Sequence, residues 1–100
     1  MEDKKSYIDR ITVQLKKLDT ELDKLKVKAD KAKADLKVEY QKQIEELKAK
    51  KETFSTRLDK LKASSDEAWL ELKGGLEKSW AELKTALDGA VAKFKQKENE

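Results

Sequence analysis

ITVQLKKLDTELDKLKVKADKAKADL, residues 11–36, is the stretch on which the fold turns. Its apolar residues recur at alternating spacings of four and three: Ile11, Leu15, Leu18, Leu22, Leu25, Ala29, Ala32 and Leu36. Ile11, Leu18, Leu25 and Ala32 form one seven-residue series, and Leu15, Leu22, Ala29 and Leu36 form the other. Lys, Asp and Glu fill the flanks. Two interleaved series on one face are the pattern of a left-handed coiled-coil seam. The segment ADKAKAD (29–35) contains no Gly or Pro, and the heptad phase does not break there. The spacing therefore predicts a helix that continues beyond it.

After Leu36 the spacing slips to 4,4,3 through Tyr40, Ile44 and Leu47. Such a stutter locally unwinds a supercoil. Heptads resume with Leu47, Phe54 and Leu61, interleaved with Lys51 and Leu58. Lys51 is a polar residue on the seam, expected to carry its ammonium out to solvent rather than to fix register. The cluster Ser64-Ser65-Asp66 is the plausible turn, at about residues 63–66. Ser64 and Glu67 have the spacing of a capping box, and Asp66 favours a helix start through the macrodipole.

Beyond that turn the period changes. In elevens the chain reads SDEAWLELKGG (65–75), LEKSWAELKTA (76–86) and LDGAVAKFKQK (87–97). Trp69, Trp80 and Val91 share one position, Leu72, Leu83 and Phe94 another, and Leu76 and Leu87 a third. Eleven residues in three turns make a stripe that runs nearly straight. Small residues follow along one flank (Ala68, Gly75, Ser79, Ala86 and Ala90), and they let a facing helix approach closely.

These patterns predict an all-α fold, a long helical hairpin or coiled coil in a single domain. Its first helix covers about residues 4–63 and its second about 65–95, with a frayed tail at 96–100. At 1.5 Å per residue the helices reach about 90 Å and 45 Å, so the second covers only half of the first. The seam of Ile11, Leu15, Leu18, Leu22, Leu25 and Leu36 is then bare, and a bare apolar stripe implies self-association, with an antiparallel homodimer preferred. The alternative is a second turn near Ala29–Asp35, which gives three helices of about thirty residues and a bundle complete in itself.

Composition narrows function. The chain has 100 residues, 45% of them charged, with three Gly and no Pro, Cys or His. The commonest general base, the thiolate nucleophile and the favoured transition-metal ligands are thus missing. Glu45-Glu46 and Asp66-Glu67 are adjacent carboxylates, which do not face each other on a helix. No phosphate loop is present, since Gly74-Gly75 lies inside a helical repeat. No catalysis, cofactor or metal is expected. A net charge of +3 lacks the concentrated basic stripe of a nucleic-acid binder, so no nucleic-acid partner is expected either. The N-terminal stretch MEDKKSYIDR has no apolar signal region, and cytoplasm is the expected location.

Trp69 and Trp80 admit two roles. In phase with Leu72, Leu76 and Leu83, they point into a helical core; alternatively the stripe lies on a membrane surface with Lys73, Lys84 and Lys95 reaching to the headgroups. The core role is expected. The run AWLELKGGLEKSWAELKTAL (68–87) resembles a motif of small bacterial coiled-coil proteins in which Trp-x-Glu-Leu-Lys units follow a long charged helix. That resemblance implies the fold and a prokaryotic origin, and it brings no assigned activity. The 11-residue period is also similar to that of exchangeable apolipoproteins and of late-embryogenesis-type stress proteins. The expected function is a non-catalytic structural or protein-interaction module that self-associates through its seam or meets an unidentified protein partner. Lipid binding and stress protection are the alternatives.

Overall fold

The computed structural model describes residues 3–98, with side chains to Gln96. Three helices make it up: α1 (Lys4–Lys31), α2 (Ala34–Ala63) and α3 (Ala68–Glu98), of 28, 30 and 31 residues. No strand occurs among the described residues. The fold is all-α, as the periodicity requires. The helices run up, down and up in a rod of 51 × 19 × 16 Å. Its length matches about thirty residues of helix at 1.5 Å each.

The continuous helix expected over residues 4–63 is interrupted at Ala32-Lys33. It forms two helices folded back on each other, and the three-helix alternative describes the chain. Both link residues are extended, with φ −69° and ψ 155° at Ala32 and φ −62° and ψ 153° at Lys33. The Ala32 N–H donates to the Ala29 carbonyl at 3.3 Å, and the Lys33 carbonyl then accepts from Leu36 and Lys37 at 2.9 Å each. No positive φ is needed, so no glycine marks the reversal.

Energetics explain why the chain folds back. Burying Ile11, Leu18, Leu22 and Leu25 is worth about 1.5–3 kcal/mol each. Interrupting a helix exchanges about four backbone hydrogen bonds for bonds to water, at about 0.5–1.5 kcal/mol apiece. Covering the same seam with a second chain would cost about 4–15 kcal/mol of association freedom. Closure within one chain wins.

The second turn lies where the serines mark it, with the roles divided differently from the expected capping box. Ser64 Oγ donates to the Leu61 carbonyl at 2.6 Å and closes α2. Ser65 opens α3: its Oγ accepts from the Ala68 N–H and its carbonyl from the Trp69 N–H, both at 3.1 Å. Ser65 is therefore the cap, one residue later than Ser64, and the third helical position falls on Ala68 rather than Glu67. Lys4 Nζ donates to the Ser64 carbonyl and ties the start of α1 to this turn. At the far end α3 runs to Glu98, so residues 96–98, expected to fray, are helical; Asn99 and Glu100 lie outside the described residues.

One core joins all three helices. Three aromatic pairs are spaced along it: Tyr7 with Trp69 (5.6 Å between centroids), Phe54 with Trp80 (5.2 Å) and Tyr40 with Phe94 (3.8 Å, stacked). Helices α2 and α3 approach each other most closely, and α1 and α3 least. Along α3, Trp69 packs on Tyr7 of α1 and Trp80 on Phe54 of α2, while the small residues Ser79 and Ala90 are buried and Ala86 packs on the core.

Candidate functional site

The seam residues are covered by their own chain. Ile11, Leu18, Leu22 and Leu25 are buried, and half-buried Leu15 and Leu36 pack against the core. The bare stripe on which self-association was to rest is thus occupied by α2 and α3. Lys51, the polar residue on the second half of the seam, is half-exposed and pairs with Asp19 of α1. It reaches solvent as expected while also linking two helices.

The 11-residue stripe turns inward. Trp69, Leu76, Leu83, Leu87 and Phe94 are buried, and half-buried Trp80 and Val91 pack on the core. Leu72 departs from the pattern at 39% exposure. It lies in a groove between α2 and α3 beside Arg57 and Lys60, whose long side chains replace an apolar neighbour there. Lys73 stands over rings of the core: its Nζ lies 5.1 Å from the Tyr7 ring centre and 5.8 Å from that of Trp69. Arg10 stands over the same Tyr7 ring at 5.1 Å. Two cations thus cap an aromatic pair at one end of the bundle.

Gly75 was expected at a tight helix contact. A methyl group there would meet only Arg57 Nη1, at an ordinary 3.5 Å. The same nitrogen donates to the Gly75 carbonyl at 3.4 Å. At Gly74 and Gly89 a methyl group would meet nothing within 4 Å beyond the backbone of its own helical turn. The packing of α2 on α3 therefore needs no glycine.

Other grooves on the surface are not announced by the periodicity. Between α1 and α3 lies a cleft of about 230 Å³, lined by Leu18, Trp80 and Leu87 together with Lys17, Glu21 and Lys84. A shallower groove of about 620 Å³ lies between α1 and α2, floored by Ala29 and Ile44. Among the described residues the large apolar ones left exposed are Val13, Val27, Val38 and Leu70, with Leu72, and they are dispersed over the three helices.

Exposed ion pairs run along single helices, as in Lys24–Glu21 (3.4 Å), Lys48–Glu45 (3.5 Å) and Lys84–Asp88 (3.6 Å). Such exposed pairs contribute about 0.2–0.5 kcal/mol each and arrange no reacting groups. Asp3 caps α1: the Ser6 N–H donates to its Oδ1 at 2.8 Å and holds the carboxyl below its ordinary value. Among the described residues no three His, Cys, Asp or Glu are grouped to hold a metal ion, and no helix is long and apolar enough to cross a membrane. Compared with known protein families, with characterised proteins and with solved structures, the chain matches none.

Proposed function

We propose that this chain is a non-catalytic helical module serving structure or protein contact. The observation that carries the reading is the inward turn of the Trp stripe: Trp69 is 5% exposed and Trp80 packs on Phe54. An apolar face spent on the chain's own core is unavailable to a lipid surface unless the bundle opens. A cytoplasmic location, kinship with small bacterial coiled-coil proteins and an unidentified protein partner belong to the same proposal. Self-association belongs to it too, in a form that leaves the seam covered. Tryptophan fluorescence tests the reading. Emission already blue-shifted in buffer and unmoved by anionic phospholipid vesicles supports it. A blue shift and a gain of helicity on adding vesicles would replace it with a peripheral membrane role.

A further inference from the structure

We propose that Ala32-Lys33 is a hinge through which two copies of this chain exchange their α1 helices. In the exchanged dimer residues 4–63 of each copy form one continuous helix, and α1 lies on α2 and α3 of the other copy. The inference rests on the fold and goes beyond the module role, to which it adds a partner: a second copy.

The two turns differ in a way that points to the first as the mobile one. The Ser64-Ser65 turn is fastened by both serine hydroxyls and by Lys4. The Ala32-Lys33 link has no side-chain cap, and its closing bond, from the Ala32 N–H, is long at 3.3 Å. Its residues have helical φ values, so extended and helical forms differ in ψ alone, which any L-residue can change. Ala32, Lys33 and Ala34 are strong helix formers. The apolar stripe also continues through Ala29, Ala32, Leu36 and Tyr40, so a straightened hinge keeps one face apolar.

Exchange preserves the core. Contacts such as Tyr7–Trp69 and Lys51–Asp19, now within a chain, are remade between chains. Straightening restores helical hydrogen bonds at the hinge and costs the freedom of two separate molecules. The balance therefore follows concentration, with closed monomers when dilute and exchanged dimers when concentrated. The two long helices then lie antiparallel, crossing at the small residues Ala29 and Ala32.

Light scattering after refolding at millimolar concentration should find a species of twice 11.5 kDa beside the monomer. Ala34→Pro closes the hinge, because proline fits the first helical position of α2 and favours an extended Lys33 before it. In a continuous helix the same proline is costly, so the variant should fold as a monomer with dimerisation weakened at least about 100-fold per hinge. Asp66→Pro, at the corresponding position of a turn kept in both forms, should leave the dimer fraction unchanged. Spin labels at Lys16→Cys and Glu52→Cys, in chains diluted with unlabelled protein, read the geometry directly. The exchanged form separates them by about 54 Å along one helix, and the closed bundle holds them on adjacent helices about 10 Å apart in axis. Monomer at every concentration, a dimer with only the short separation, or a dimer indifferent to Ala34→Pro overturns the proposal. None of these outcomes depends on the response to vesicles.

Discussion

Replacing glycines in α3 by alanine should stabilise the protein, and the size of the gain follows from what surrounds each site. At Gly74 and Gly89 an added methyl group meets nothing within 4 Å beyond the backbone of its own helical turn, so only the intrinsic helix preference changes. That preference favours Ala by about 0.8–1 kcal/mol at a helix interior. The two sites lie fifteen residues apart, about 22 Å along the axis, and should act independently. Gly74→Ala with Gly89→Ala should therefore add about 2 kcal/mol, raising the melting temperature by roughly 8–16 °C in a domain of this size. In urea the midpoint should rise with the slope unchanged, because the surface exposed on unfolding is the same. Gly75→Ala should gain a similar amount, since its methyl group touches only the movable end of Arg57 at 3.5 Å. A loss of 1 kcal/mol or more at Gly75 would mean that α2 and α3 approach more closely than the 3.5 Å to Arg57 Nη1 allows. No gain at Gly74 or Gly89 would mean that α3 is not a regular helix there in solution.

Other substitutions probe the core and the caps. Phe54→Ala removes a fully buried ring packed on Trp80 and should cost about 3–5 kcal/mol in chemical denaturation. Ser65→Ala removes the cap of α3 and should cost about 1 kcal/mol, whereas Glu67→Ala should stay within about 0.5 kcal/mol; equal losses would restore the capping box. Acidification should loosen the start of α1. The Asp3 carboxyl has a folded value below its ordinary 3.8, so its cap is fully present above that value and is lost as the pH falls through the lowered one. Amide exchange at Ser6 should rise in that acidic range, and Asp3→Asn should abolish the pH response.

Much of the packing is legible in the sequence because it is written as period. The heptad residues Ile11 to Leu25 and the eleven-residue stripe from Trp69 to Phe94 almost all face the core. On the small flank Ser79 and Ala90 are buried as well, and Ala86 packs on the core. The second turn is legible because serines supply it with hydrogen bonds. The first is not, because its residues stay at negative φ and carry no cap, so none of the usual punctuation is needed. Its trace lies in the slip of spacing at Leu36, Tyr40 and Ile44. Read as a stutter, that slip describes a local unwinding; it falls instead within the first turns of α2, while the stripe itself passes through the Ala32-Lys33 link in unbroken phase. The self-association surface followed from helix length, so the error in length exposed a seam that the folded chain covers. Leu72 was beyond reach for another reason: it stays exposed in a groove it shares with Arg57 and Lys60, and period alone does not say what stands opposite a stripe position.

An odd number of helices of nearly equal length has a mechanical meaning. The chain starts α1 beside Ser64 and finishes α3 with Phe94 on Tyr40, at opposite poles of a 51 Å rod. A pull on the two ends runs along the rod and drags α1 and α3 past α2 in shear. Every layer from Tyr7–Trp69 to Tyr40–Phe94 then bears load at once, instead of parting one after another from the end. A two-helix hairpin, with both ends at one pole, would unzip.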